Sequence, residues 1–277
     1  MYKILERQDL AAAVHLFKIE APEVAKKAHP GQFVVIRIDE KGERIPLTFA
    51  DWDAKTGSVT IIFMEAGATT CRLAKLQAGD SIENFVGPLG VPTHIEKLGT
   101  VVCVAGGIGA APITPIATAL KAAGNKVISI MGARTKNLLF WEDRMRQASS
   151  ELIVTTDDGS YGRKGLVTEP LKEILSSQKV AEVIAIGPIP MMKFCTLTTK
   201  PFGVKTIVSL NPLMVDGTGM CGCCRVSVGG NTKFACVDGP DFDGHLVDWD
   251  LMSSRSRAYA AEEKTSMEHH NCQCQAR

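Results

Sequence analysis

No stretch of this chain approaches about eighteen consecutive apolar residues, so nothing in it should span a bilayer as a helix. Its beginning, M-Y-K-I-L-E-R-Q, lacks the basic-then-apolar pattern of a secretion signal. An excess of charge is missing too. The formal net charge is +1, which gives no footprint for nucleic acid or a charged membrane surface. No Ser/His or His/Asp constellation stands out, so no catalytic acid, base or nucleophile is expected, and His245, His269 and His270 read as surface residues. There is no internal repeat. What remains is an ordinary soluble globular composition, 45% hydrophobic and 22% charged over 277 residues, enough for two domains and an appendage.

Cysteine is the residue that is plentiful and unevenly placed. The nine cysteines are Cys71, Cys103, Cys195, Cys221, Cys223, Cys224, Cys236, Cys272 and Cys274. An odd, clustered set without a secretion signal argues for a reducing compartment, the cytoplasm, and for metal rather than a disulfide framework. The segment Asp216 to Cys236 reads D-G-T-G-M-C-G-C-C-R-V-S-V-G-G-N-T-K-F-A-C. Cys221 and Cys224 are separated by two residues, Cys236 follows after a longer gap, and Asp216 stands where a plant-type 2Fe–2S site places its first cysteine. Gly217, Gly219 and Gly222 let backbone amides approach sulfur closely. The expected ligands are therefore Asp216, Cys221, Cys224 and Cys236. Cys223 is the alternative fourth ligand, although its side chain would crowd Cys224. Structural zinc is the rival metal, but zinc sites usually show two short knuckles and only one C-x₂-C is present.

The rhythm of the chain changes near Gly99. Before it, Val14–Ile19, Gln32–Ile38 and Ser58–Phe63 are short β-rich runs bounded by turn residues, and Thr69–Leu76 has helical spacing. Residues 1–97 are expected to form a small antiparallel barrel. After Gly99, strands at Thr100–Ala105, Lys126–Met131, Leu152–Thr156, Val183–Ile186 and Thr206–Leu210 alternate with helical stretches, the pattern of a parallel α/β sheet over 98–210. A small cluster module with a Val226–Cys236 hairpin occupies 211–250, and 251–277 reads as a polar, poorly ordered tail.

Two regions carry phosphate-binding chemistry. Ala105-Gly-Gly-Ile-Gly-Ala-Ala-Pro follows the first α/β strand and opens a helix, whose N-terminal amides and dipole suit a pyrophosphate. Gly132-Ala133-Arg134, Asp157-Asp158-Gly159-Ser160 and Gly187-Pro188 also end strands, so they either line the same crevice or are plain turns. In the first domain, Arg44-Ile-Pro-Leu-Thr-Phe pairs a phosphate-matching guanidinium with a threonine and amides that can hydrogen-bond an isoalloxazine. Gly67-Ala-Thr-Thr offers an amide nest before a short helix, and Gly87-Pro-Leu-Gly reads as the turn that closes the domain.

Taken in order, R-x-P-L-T, G-A-T-T, G-P-L-G and A-G-G-I-G-A-A-P resemble the ferredoxin–NADP reductase superfamily over roughly residues 1–250. With the C-terminal loop, the chain resembles the branch of dihydroorotate dehydrogenase B electron-transfer subunits. Aspartate at 216 brings it closer to the small subunits of NADH-dependent reduced ferredoxin:NADP⁺ oxidoreductases, also called sulfide dehydrogenases. The resemblance implies FAD at Arg44, Pro46, Leu47, Thr48, Gly67, Thr69 and Thr70. It implies NAD(H) at Gly107, Ile108, Gly109, Ala110, Arg134, Asp157 and Gly187, with NADH against NADPH left open. It further implies an oxidoreductase role, a larger partner bearing flavin and 4Fe–4S clusters and binding NADP(H), and ferredoxin as donor or acceptor in electron bifurcation.

Overall fold

The computed structural model describes residues 1–275, with side chains to residue 268. The side chains of His269, His270, Cys272 and Cys274 therefore lie outside the described residues. The first unit contains β1 (Tyr2–Ala11), β2 (Val14–Glu20), α1 (Pro22–Ala25), β3 (Phe33–Arg37), β4 (Arg44–Asp53), β5 (Ser58–Met64), α2 (Ala68–Leu73), β6 (Ser81–Ile82) and β7 (Asn84–Leu89). Its seven strands pair in the order β6-β1-β2-β5-β4-β3-β7, all antiparallel, as a nearly closed barrel. Two readings change here. Arg44–Asp53 is a full strand, and Gly87-Pro88-Leu89 lies within β7, where Leu89 pairs with Phe33.

Period-two alternation explains how β2 serves two cores. Phe17 and Ile19 point into the barrel with Ile36, Phe49, Ile61 and Phe63, while Val14 and Leu16 point outward. The outward pair, with Ala50 and Ile62, packs against Ile113, Ile116 and Ala117 of the second unit. Burying each valine, leucine or isoleucine chain among these stabilises by about 1.5–3 kcal/mol, so the two units share an apolar packing face.

The second unit contains β8 (Thr100–Gly106), α3 (Ala110–Ala122), β9 (Lys126–Ala133), α4 (Glu142–Ala148), β10 (Glu151–Thr156), β11 (Arg163–Lys164), α5 (Thr168–Ser177), β12 (Glu182–Ile186), α6 (Ile189–Thr199) and β13 (Lys205–Ser209). The order is β11-β10-β9-β8-β12-β13, parallel throughout. Central strands such as β8, buried on both faces, read as unbroken apolar runs. The chain reverses its direction of travel across the sheet between β8 and β12, which puts the ligand crevice at their carboxyl ends.

The remaining segment contains the hairpin β14 (Arg225–Val228) and β15 (Asn231–Phe234), β16 (Asp241–Asp243), α7 (Trp249–Arg255) and α8 (Ala260–Gln275). β16 adds antiparallel to β13, so the cluster segment is welded to the α/β sheet. Phe33 and Val35 of the barrel, β12 and β13, Met214, Cys224, Cys236 and Trp249 share one apolar core. The expected irregular tail is instead helical in α7 and α8. α7 is anchored by buried Trp249 and Met252 and capped by Asp248, whose carboxylate accepts from Leu251 N at 2.9 Å. His245 is half-buried rather than on the surface, its Nε2 lying 3.0 Å from the Val204 carbonyl. Among the described residues, no helix is long and apolar enough to cross a membrane.

Candidate functional site

β4 changes partner halfway along. Arg44–Thr48 pair with β3, whereas the register with β5 begins only at Phe49. On the β5 side, the backbone of the Arg44–Thr48 run therefore borders an open slot, with peptide groups free for something other than a strand. The end of β5 leads into the Gly67 turn at this slot. There the Thr69 hydroxyl donates to Glu43 Oε2 at 2.6 Å and ties α2 to the start of β4. Thr70 closes the turn, its hydroxyl accepting from Ala66 N at 2.9 Å and Gly67 N at 3.0 Å. The first bond within α2 is Cys71 N–H to the Gly67 carbonyl at 3.0 Å, which leaves the amides of Ala68, Thr69 and Thr70 at the helix start. The Thr69–Glu43 bond thus sets the turn of Gly67, Thr69 and Thr70 at the Arg44 end of the run that continues through Pro46, Leu47 and Thr48.

The glycine turn after β8 meets the end of β12 directly. A Cβ built on Gly109 would collide with the Ile186 carbonyl, and one on Gly187 would lie 3.1 Å from Gly106 Cα. Ile108 and Ala110 complete the turn at the start of α3. Arg134 and Asp157 stand further along the same sheet edge, where Asp157 N–H donates to the Ala133 carbonyl at 3.0 Å and Asp158 N–H to the Arg134 carbonyl at 3.3 Å. All seven residues expected at a nucleotide therefore share the carboxyl edge of one sheet. Among the described residues, Arg44 and Arg134 are the two arginines whose guanidinium groups have no protein partner. Arg44 begins β4, and Arg134 directly follows the end of β9. Sequence reasoning missed Met191, whose thioether lies against Gly106 and Gly187 in this crevice. P-I-P-M-M directly after Gly187 was the available signal.

The cysteine loop folds into two pairs rather than one tetrad. Buried Cys224 and Cys236 have Sγ atoms 3.2 Å apart. Half-buried Asp216 and exposed Cys221 are joined by Cys221 N–H to Asp216 Oδ2 at 2.8 Å. Among the described residues, no three His, Cys, Asp or Glu side chains converge on one metal-sized point. Amide hydrogen bonds, first from Thr218 and then from Cys221, hold the Asp216 carboxyl below the usual carboxylate range. The Cys223 amide, donating to Cys221 Sγ at 3.5 Å, lowers the Cys221 thiol, while burial pushes Cys236 up to about 12. A thiol buried like that of Cys236 becomes a thiolate only opposite a cation. The Cys236 amide also donates to Cys224 Sγ at 3.5 Å. Amide-to-sulfur bonds of this kind suit thiolates that ligate iron. The residues fit an iron–sulfur cluster.

The loop lies against the barrel. Gly217, at φ +74°, presses so close that a Cβ there would sit 2.7 Å from Leu89 and 2.9 Å from Val35. Val35 is the register partner of Pro46, so one strand separates the cluster loop from the β4 slot.

Comparisons with known proteins agree with this anatomy. Residues 103–196 match the oxidoreductase NAD-binding domain, and residues 211–248 match the iron–sulfur cluster binding domain of dihydroorotate dehydrogenase B. Fold and matched domains together define a NAD-binding oxidoreductase electron-transfer subunit of ferredoxin-reductase type with a C-terminal iron–sulfur domain. A homologue of the dihydroorotate dehydrogenase B (NAD⁺) electron transfer subunit from Thermotoga maritima is 50% identical, covering 96% of this chain and 94% of its own length. An uncharacterized protein from the adh 3′ region of Clostridium beijerinckii is 51% identical over 95% of this chain and 92% of its own. A solved structure described as the NADH-dependent reduced ferredoxin-NADP oxidoreductase superposes with a TM-score of 0.92 at 49% identity, covering 97% of each chain. The chain belongs to the family of dihydroorotate dehydrogenase B electron-transfer subunits and their homologues.

Proposed function

We propose that this chain is the small subunit of an NADH-dependent reduced ferredoxin:NADP⁺ oxidoreductase that couples its substrates by electron bifurcation. In this reading it holds FAD in the β4 slot, NAD(H) at the β8–β12 crevice and a 2Fe–2S cluster on Asp216, Cys221, Cys224 and Cys236. A larger flavin and 4Fe–4S subunit that binds NADP(H) receives its electrons, and ferredoxin is the further donor or acceptor. The observation that carries the reading is contiguity: Gly217 of the cluster loop packs on Val35, whose partner Pro46 borders the slot. A bound flavin supplies the exchange between two-electron nicotinamide and one-electron iron–sulfur chemistry. The protein's own part is positional. The glycine turn admits a pyrophosphate to the α3 terminus, Arg44 and Arg134 answer phosphate charge, and the apolar face between barrel and sheet keeps the two ligand sites in register. Ligands in two pairs, one per iron, suit a two-iron cluster better than a single tetrahedral zinc.

Anaerobic purification of the co-expressed complex tests this. Flavin, iron and NADH-dependent NADP⁺ reduction with reduced ferredoxin are expected. Zinc without iron in a colourless protein would sink the redox reading. Dihydroorotate oxidation by the partner would move the chain to the other branch of its family.

Two further expectations follow from the assigned residues. Arg44→Ala removes an unpartnered guanidinium, and a charge-assisted hydrogen bond is worth about 1.5–3 kcal/mol, so FAD should dissociate roughly 10–100-fold more readily in equilibrium dialysis. Cys223→Ser should leave iron content and the paramagnetic resonance spectrum unchanged, whereas Asp216→Cys should keep iron with a shifted potential. Iron loss in Cys223→Ser would transfer the fourth ligand position to Cys223.

A further inference from the structure

Outside the ligand set, one cation faces the cluster loop from a distant element. Arg255 ends α7, and its Nη2 donates to the Cys223 carbonyl at 3.0 Å, between ligand positions 221 and 224. Its Nε is buried with no hydrogen-bond partner. No carboxylate among the described residues forms an ion pair with it. A half-buried guanidinium without a counter-charge is unfavourable by itself, since burial strips hydration that nothing replaces. The placement is held from behind: Trp249 and Met252 of α7 are in the core, and Trp249 Nε1 donates to the Gly244 carbonyl at 3.0 Å. A second arginine grips the same loop from outside, with Arg225 Nη1 donating to the Gly222 carbonyl at 3.2 Å, but Arg225 is exposed.

We infer that Arg255 is the electrostatic positioning residue of the cluster, balancing its negative charge and setting its reduction potential. The inference rests on the iron–sulfur reading above. A cluster on three thiolates and a carboxylate is already anionic when oxidised, and reduction adds one further negative charge. A fixed, poorly hydrated cation beside the loop therefore stabilises the reduced form more than the oxidised form, which raises the potential. Arg225 carries the same charge in water, where it is screened, and so contributes less. Pinning the Cys223 carbonyl also fixes the backbone between Cys221 and Cys224.

The test is a redox titration of the anaerobic holoprotein followed by paramagnetic resonance, with iron analysis of each variant. Arg255→Gln is expected to shift the one-electron equilibrium at least tenfold toward the oxidised cluster, which is about 59 mV to more negative potential. Arg225→Gln should shift it less than twofold. Arg255→Lys keeps the charge without the fork and should retain most of the wild-type potential. An iron-replete Arg255→Gln protein with the wild-type midpoint would overturn the inference. Should that variant fail to hold iron, the lysine variant decides: a tenfold shift despite the retained charge also overturns it. Wild-type protein without iron would overturn the cluster reading itself, a result distinguishable from an unshifted midpoint.

Discussion

Cys236→Ser is expected to strip the protein of iron while leaving the NADH-binding unit folded. Cys236 is 2% exposed, and its sulfur lies 3.2 Å from that of Cys224 within the core shared by all three segments. A serine hydroxyl ionises far less readily than a thiol, so one iron would keep a single protein ligand. The buried hydroxyl would have the Cys224 sulfur and the Gly219 amide beside it, poorer partners than a metal ion, which adds about 1–3 kcal/mol of destabilisation. The β8–β12 crevice does not involve this pair. Iron per chain should therefore fall close to zero, and one-electron transfer to an external acceptor with it, while NADH still binds. Iron analysis, paramagnetic resonance and NADH titration check each part. Full iron with an unchanged spectrum would remove Cys236 from the ligand set.

The second large effect is expected from Gly109→Ala. Gly109 has an ordinary right-handed helical backbone, φ −61° and ψ −14°, so dihedral strain plays no part. The cost is volume: an added Cβ runs into the Ile186 carbonyl, a backbone atom held by the β8–β12 ladder. Relief requires the turn to move away from β12, which overpacking data place at about 1–3 kcal/mol. A displacement near 1 Å at a ligand-positioning turn can slow the reaction by about 100-fold. Gly203→Ala, outside both proposed ligand sites, is the matched control. Nothing lies within 4 Å of its added Cβ, and only its φ of +62° is unfavourable, costing about 1–2 kcal/mol. Thermal unfolding and stopped-flow oxidation of NADH should therefore separate the two, with loss of rate confined to Gly109→Ala. Equal rates in both would refute the close approach of turn and strand.

The barrel was legible from its succession of short β-rich runs bounded by turn residues, and the parallel sheet from unbroken apolar strands alternating with helical stretches. The strand character of Arg44–Asp53 was harder to see. Its first half is half-buried along one open edge, so it lacks a full apolar alternation. The helix at Trp249–Arg255 was hidden for a similar reason, since only Trp249 and Met252 of its residues reach the core. His245 reads as a polar surface residue in a polar stretch, and only the fold sets its ring beside the Val204 carbonyl.

Residue spacing by itself determined the metal chemistry, the glycine turn after the first parallel strand and the succession of a β-rich unit by an α/β unit. Each of these depends on residues a few positions apart, where chain geometry leaves little choice. Tertiary structure alone decided that Cys224 meets Cys236, that Gly217 rests on Val35 beside the open half of β4, and that Arg255 reaches the loop from 32 residues beyond Cys223. Those contacts depend on register between segments remote in sequence. Such register is set by which apolar faces bury together, and no local pattern records it.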